Sequence, residues 1–252
     1  MSGIKIAPKE IRAAFIESIR RTDTVESFRF VPQERMEFMP GQFLQFVFDQ
    51  DNRDNPKLNK YLSFSSSPNK DYVEVTKRLG CSEFSQRLKG LKPGAEVILR
   101  GPLGYCVFED GYKSIGFLIG GIGITPVISI LGYIMDRGLD TDIRLLYSNR
   151  NEEEIAFKQE IDYYKSINNR IRLAYTVTEC QPNPPAGVEG TKDKRFFFGC
   201  IDRNLLLDEI DDLQDRMLFI FGPPKMVEAM QKLCLEAGCK KENIKTERFI
   251  GY

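Results

Sequence analysis

Two textures of hydrophobic and polar positions divide the chain. Before residue 111, short alternating segments such as "AAFIESIR" (13–20), "TVESFRFV" (24–31), "QFLQFVF" (42–48), "YVEVTK" (72–77) and "AEVILR" (95–100) are punctuated by "MPGQ", "KPG" and "GPLG". Period-two alternation between turn signals predicts half-buried antiparallel strands closing into a small barrel. One short helix is predicted over 82–88, and the polar "DQDNRDNPKLN" (49–59) is predicted as a hairpin loop. After residue 112 the pattern changes to continuous apolar runs, "IRLLY" (143–147), "IRLAYTV" (171–177) and "MLFIF" (217–221), separated by helical stretches near 152–165, 202–210 and 224–237. Strands buried on both faces and alternating with helices predict a parallel sheet, with ligand loops at the strands' carboxyl ends. The expected organisation is a six-stranded antiparallel β-barrel domain over 1–111 and a parallel-sheet α/β domain over 112–252.

Residues 114–135, "SIGFLIGGIGITPVISILGYIM", carry no charge and have the length of a membrane span. Their glycines and Pro126 argue otherwise. An apolar run, the turn "GGIGITP" and then Ile128, Leu131 and Met135 at helical spacing predict strand, glycine turn and helix, with Pro126 in the first helical turn. Gly120, Gly121 and Gly123 would let backbone N–H groups and the helix's positive end meet an anion, which makes a diphosphate cradle. Tight strand-to-helix turns need glycine in any case, and this is not a GxGxxG. The other motif-like loops, "SNRNEEE" and "GPPKM", also follow strands, so three loops are expected on one sheet edge.

Composition narrows the chemistry. The chain has 252 residues, with 36 basic and 36 acidic residues that cancel, so no nucleic-acid partner is indicated. Zero histidines exclude Ser-His-Asp and Cys-His hydrolases and imidazole-based general-base schemes. Six scattered cysteines form no CxxC pair and suggest no metal, and Cys234 and Cys239 are expected to be buried thiols. The opening "MSGIKIAPKEIR" lacks the apolar core of a signal peptide, which fits a reducing cytoplasm.

The motifs "PGQF" (40–43), "KYLSFSSSP" (60–68), "SEFSQRL" (82–88), "LKPGAEVILRGPLG" (91–104), "GGIGITP" (120–126), "LLYSNR" (145–150), "FGPPKM" (221–226) and "ERFIGY" (247–252) stand in an order and spacing that resembles the ferredoxin–NADP⁺ reductase superfamily. The resemblance runs from about residue 12 to the end. It implies FAD on the barrel, NAD(P)H on the second domain, and hydride passing between them, in either direction.

In that family the opening motif reads R-x-Y-S, so Lys60 takes the arginine place, Leu62 the tyrosine place and Ser63 the serine place. The resemblance gives Lys60 the flavin diphosphate and Ser63 a hydrogen bond at the flavin's reactive edge. Lysine brings the charge without the two-pronged geometry of arginine, and leucine gives contact without stacking. Lys60 and Leu62 would share a strand face while Tyr61 looks away; a one-residue slip would put Tyr61 in Leu62's place.

Thr76, Lys77, Ser82, Glu83, Phe84 and Ser85 match positions holding the ribityl chain and diphosphate, although plain helix capping by Ser82 explains part of that set. Gly120, Gly121, Gly123, Thr125 and Pro126 match the NAD(P) diphosphate site, and Ser148, Asn149 and Arg150 the adenosine ribose. Arg150 could pair a 2′-phosphate, but Glu152, Glu153 and Glu154 would repel one; the same acids would equally suit a solvated helix start. Gly222, Pro223 and Met226 would border the nicotinamide. Phe221 stands where the family has cysteine, either as core or as a ring crowding the nicotinamide. Glu247 and Phe249 would lie at the flavin edge.

There is no C-x4-C-x2-C run, so no iron–sulfur domain is expected within the chain. Electrons would leave to a ferredoxin-like protein or an oxygenase component, a docking for which the basic tail "CKKENIKTERF" offers a hint. The competing expectations are a reductase acting on free flavin and a nucleotide-binding regulatory subunit without turnover.

Overall fold

The computed structural model describes residues 7–179 and 195–249. Contacts divide them into two compact units. One holds residues up to 109 with 125–138, and the other holds 110–124 with the described residues from 139 to 249.

The first unit contains the expected barrel together with residues 125–138. Its strands are β1 (Lys9–Arg20), β2 (Val25–Pro32), β3 (Phe43–Val47), β4 (Asn59–Ser63), β5 (Val73–Arg78) and β6 (Glu96–Leu103), with helix α1 (Glu83–Lys89) between β5 and β6. The spatial order is β4-β3-β6-β1-β2-β5, every pairing antiparallel. A bridge between Phe64 and Val75 joins the two outermost strands and closes the barrel. The alternation read from the sequence is what fills it. Ile11, Ala13 and Phe15 from β1, Phe28 and Phe30 from β2, Leu44 and Phe46 from β3, and Leu99 from β6 all point inward, with Phe64, Phe84 and Leu88. Each such large apolar side chain contributes about 1.5–3 kcal/mol by leaving water. The predicted hairpin loop does connect β3 and β4, which pair antiparallel from Phe43 with Ser63 to Val47 with Asn59.

The apolar run at 114–135 forms β7 (Ser114–Gly120), a single 3-10 turn at Gly121–Gly123, and α2 (Ile124–Arg137). No helix among the described residues is long and apolar enough to cross a membrane. The second unit continues with β8 (Asp142–Asn149), α3 (Lys158–Ile167), β9 (Ile171–Val177), β10 (Phe196–Phe198), α4 (Arg203–Glu209), β11 (Met217–Gly222), α5 (Pro224–Glu236) and β12 (Ile244–Arg248). The six strands stand in the order β10-β9-β8-β7-β11-β12, all parallel.

Starting from β7, the chain lays strands outward on one side through β10, then returns to the other side of β7 for β11 and β12. The reversal makes the carboxyl ends of β7 and β11 the point where strand order switches, the usual ligand position in an open parallel sheet.

Two expectations need correction. Helix α3 starts at Lys158 rather than near 152, because Phe157 adopts a left-handed conformation (φ 60°) and Asn151–Phe157 forms turns. Strands β10 and β12 were not foreseen.

Candidate functional site

On the barrel, the candidate site is the seam between β4 and β5. Phe64 with Val75 is the single bridge across it among the described residues, so the strands' facing edges are unpaired on the side that carries Lys60, Leu62 and Lys77. Register sets the faces: Lys60 lies opposite Phe46 and Leu62 opposite Leu44, whereas Tyr61 lies opposite Gln45. Leu62 is half-buried and packs against the barrel core. Tyr61, 64% exposed, stands on the other face with its ring edge-on to Phe43 at 5.9 Å. The slip that would exchange Tyr61 and Leu62 is absent.

Lys77 is half-buried, and its pKa is lowered by burial first and by the charge of Lys60 second. Neither ammonium has a hydrogen-bond or carboxylate partner among the described residues. Two mutually repelling cations stand at an unpaired seam, an arrangement that an anion would relieve.

The serine row proves mostly structural. Ser65 Oγ bonds Glu74 Oε1 (3.0 Å) and Thr76 Oγ1 (2.7 Å), Ser66 Oγ accepts from the Glu74 N–H (3.0 Å), and Ser67 Oγ accepts from the Asn69 N–H (3.2 Å). Ser63, only 4% exposed, is the one whose hydroxyl has no partner among the described residues.

Two more of the expected site residues have side chains engaged within the barrel. The Thr76 hydroxyl is held between Ser65 and Ser27, each at 2.7 Å, and is not free for a ribityl chain. Phe84 is wholly buried, edge-on to Phe46 and Phe48 in the barrel core, so its ring cannot touch a ligand. Ser82 caps α1 by accepting from the Ser85 N–H at 3.3 Å, and the two hydroxyls lie 2.9 Å apart. Ser85 is buried rather than on a solvated face, and Glu83 pairs with Arg87 at 3.4 Å.

In the second unit the crevice beside β7 brings two glycine loops together. A Cβ on Gly120 would lie 2.4 Å from Met226 Sδ; one on Gly123 would lie 2.5 Å from the Phe221 carbonyl oxygen; one on Gly222 would lie 3.1 Å from the Gly120 nitrogen. At Gly123 the turn after β7 therefore packs directly on the backbone ending β11, where only glycine fits, whereas at Gly120 the close neighbours are the Met226 and Pro223 side chains. Gly121 differs: it needs glycine for its φ of 51°, and nothing lies within 4 Å of its would-be Cβ. The Tyr147 hydroxyl donates to the Gly121 carbonyl at 3.0 Å and steadies the turn from β8.

Beside this cradle, Ser148 sits level with Gly120. Asn149 is buried with both side-chain amide atoms unpartnered, and so is the hydroxyl of Thr176 on β9, level with Ser148. Buried polar groups are nearly always satisfied, so these covered and unpartnered atoms near the carboxyl edge are unusual. Thr176 was missed because its nearness to Gly120 follows from strand order, which a single sequence does not display.

Arg150 is exposed and lies 3.9 Å from Glu179, while Glu152 is 4.0 Å from Lys158. Glu152–Glu154 precede α3 by several residues, so the helix dipole does not account for them.

Phe221 is fully buried with its ring 5.8 Å from Phe219; it is core, and its part at the crevice is its backbone carbonyl. Its neighbour across the ladder is Glu247 on β12. Burial raises the Glu247 carboxyl to about 7, and no partner among the described residues offsets it. The Phe249 N–H donates to the Gly222 carbonyl at 2.9 Å and ties the tail to the crevice loop. Residues 250–252 of "ERFIGY" lie outside the described residues.

Within the basic tail, Lys240 lies 3.7 Å from Asp215 and Arg248 3.4 Å from Glu228, while Lys245 donates to the neutral Tyr112 hydroxyl at 2.8 Å. Cys234 and Cys239 are both buried.

Residues 117–232 match the family described as oxidoreductase NAD-binding domain. The chain is 28% identical over 213 residues to NADH-cytochrome b5 reductase 1 of Ajellomyces capsulatus, covering 81% of this chain and 66% of the relative. It is 26% identical over 234 residues to the flavohemoprotein of Bacillus subtilis, covering 91% and 57%. It thus spans about two thirds of one relative's length and little more than half of the other's. Among solved structures, the FAD/NAD-binding domain of nitric oxide dioxygenase from Vibrio cholerae has the same fold: TM-score 0.78 at 20% identity, covering 95% of this chain and 98% of that one.

Proposed function

We propose that this chain, a member of the ferredoxin–NADP⁺ reductase superfamily by its fold and its NAD-binding domain, is an NAD(P)H-dependent flavoprotein reductase that hands electrons to a separate acceptor. The observation that supports this reading is that the chain carries two separate arrangements, of different construction, each suited to a polyanion. One is the barrel seam with its two unneutralised lysines, and the other is the glycine cradle with unpartnered amide and hydroxyl groups at the crevice of a parallel sheet. A single nucleotide needs one of them; a flavin dinucleotide and a nicotinamide dinucleotide together need both. FAD, when bound, supplies the exchange between two-electron and one-electron chemistry.

The residues present suit these groups. Lys60 and Lys77 would hold the FAD diphosphate, Ser63 would offer the free hydroxyl at the flavin, and Leu62 would give apolar contact without stacking. Gly120, Gly121 and Gly123 would take the nicotinamide nucleotide's diphosphate. Asn149, Ser148 and Thr176 would face its adenosine half, and Gly222 and Glu247 the nicotinamide half. Glu247, held near neutral pKa by burial, would hold or release a proton at its carboxyl oxygen near pH 7. Arg150 already has an acidic neighbour in Glu179, with three more glutamates close in sequence, which favours NADH over NADPH.

The acceptor is proposed by chemical class: a haem or iron–sulfur protein, the haem alternative drawing on relatives named NADH-cytochrome b5 reductase and flavohemoprotein. The test is steady-state NADH oxidation by the FAD-loaded protein with cytochrome b5, a plant-type ferredoxin or free FMN supplied in turn. Transfer to a protein acceptor supports the reading. Reduction of free FMN alone points to a flavin reductase, and oxidation with none of them overturns the reductase role.

A further inference from the structure

The barrel buries one carboxylate that neither the core nor the proposed chemistry uses. Glu74 lies on β5 between the inward-facing Val73 and Val75, yet it is buried itself. Its Oε2 accepts from Arg29 Nε at 2.8 Å, both oxygens lie 3.3 Å from Arg21 Nη2, and Oε1 accepts from Ser65 Oγ at 3.0 Å. Arg29 reaches on to Glu17 (2.9 Å), and Arg21 donates to Ser27 (2.7 Å), which bonds Thr76. The carboxylate thus joins β5, β2 and the turn after β1 to the serine segment.

Residue 74 is tied to that segment three ways, once through its carboxylate and twice through its backbone. Besides the Ser65 hydroxyl, the Glu74 carbonyl accepts from the Ser65 N–H at 2.8 Å, and the Glu74 N–H donates to Ser66 Oγ at 3.0 Å. These contacts sit where the barrel is closed by one backbone bridge. Two residues before Ser65 stands Ser63 with its unpartnered hydroxyl, and three residues after Glu74 stands Lys77.

Stability alone does not call for such a group. A buried ion triad is commonly matched or exceeded by apolar side chains of the same volume, because desolvation offsets most of its attraction. What the charged network does that apolar packing cannot is fix direction, since each hydrogen bond admits one geometry.

We propose that Glu74 is a positioning residue for the flavin half-site. Through its carboxylate's bond to Ser65 it sets where Ser63 and the open seam between β4 and β5 stand, and so governs flavin affinity and the flavin's surroundings without touching the flavin. This rests on the flavin reading of the seam given above.

Glu74→Gln leaves the largely covered Arg21 and the partly exposed Arg29 facing a neutral side chain and can fail to fold, so two other variants carry the test. Ser65→Ala cuts the carboxylate from the serine segment and leaves the ion triad whole. Arg21→Met/Glu74→Leu/Arg29→Met replaces the triad with apolar volume. FAD dissociation constants are measured by flavin fluorescence quenching, the visible spectrum of the bound flavin is recorded, and thermal midpoints are taken for each protein.

Expected is a loss of FAD affinity of about tenfold or more in both variants, with altered fine structure in the bound flavin's spectrum and a thermal midpoint near wild type in Ser65→Ala. Wild-type FAD affinity and spectrum in Ser65→Ala, or in the folded apolar variant, would overturn the positioning role and leave the network purely structural. A wild-type protein that does not bind FAD would overturn the flavin reading itself, and this inference with it.

Discussion

Gly123→Ala probes the packing on which the nucleotide crevice depends. An alanine methyl at 123 would stand 2.5 Å from the Phe221 carbonyl oxygen, 2.6 Å from its carbon and 2.9 Å from the Gly222 nitrogen, all backbone atoms. They cannot yield easily, because β11 is laddered to β7 on one side and β12 on the other, with Phe221 level with Ile119 and Glu247. The turn and the start of α2 must therefore move outward by several tenths of an ångström. Overpacking of this kind costs roughly 1–3 kcal/mol, which for a chain of this size lowers the thermal midpoint by about 2–12 °C.

Gly121→Ala serves as the comparison. Its methyl meets nothing within 4 Å, but at φ 51° the backbone is unfavourable for alanine by about 1–2 kcal/mol. Differential scanning fluorimetry gives the midpoints, and quenching of intrinsic fluorescence by NADH gives the affinities. Gly123→Ala is expected to weaken NADH binding along with stability, since the cradle itself is displaced. A Gly123→Ala protein with wild-type midpoint and wild-type NADH affinity would refute the claim that the two loops are locked backbone to backbone.

Glu247 makes a pH prediction with a definite sign. Its folded carboxyl sits at about 7, above the ordinary value of 4.5, so the folded state holds the extra proton between them. Stability should fall as pH rises from about 4.5 to about 7 and then level off, and Glu247→Gln should remove that part of the slope in urea titrations across this range. Lys60→Met removes one cation from the seam: FAD affinity should drop about 10- to 100-fold at low salt, and the Lys77 pKa, read by NMR of labelled lysine, should rise as its repelling neighbour goes. Arg216 is buried and donates to Asp212 at 2.7 and 2.8 Å and to the Asp142 carbonyl at 3.0 Å. Arg216→Met should cost about 3–5 kcal/mol in denaturant unfolding without touching the crevice.

Much of this was legible in the chain because burial leaves a periodic trace. The runs at 143–147, 171–177 and 217–221 are apolar throughout, since parallel strands face helices on both sides. The barrel strands alternate around Phe15, Phe28 and Phe46. Strand β12, "IKTER", left no such trace: it is an edge strand with half-exposed positions and three charges. Helix α3 was started too early because Asn151–Phe157 has helical composition, and only the backbone of Phe157 reveals the break.

The site was harder to read than the fold. That the serine hydroxyls are consumed depends on Glu74 and, through it, on Arg21 and Arg29, which lie 53 and 45 positions away along the chain. Which loops meet depends on strand order, and neither relation has a local signature. Phe221 shows the converse, a motif position whose side chain went to the core while its carbonyl stayed at the crevice.

The central claim is that one chain binds both dinucleotides and couples them, and anaerobic titration tests it most directly. The FAD-loaded protein is titrated with NADH while the flavin's visible absorbance is followed. The account predicts stoichiometric bleaching, reached at lower concentration with NADH than with NADPH. A protein that takes up no FAD, or whose bound flavin keeps its colour under excess of either nucleotide, would contradict it.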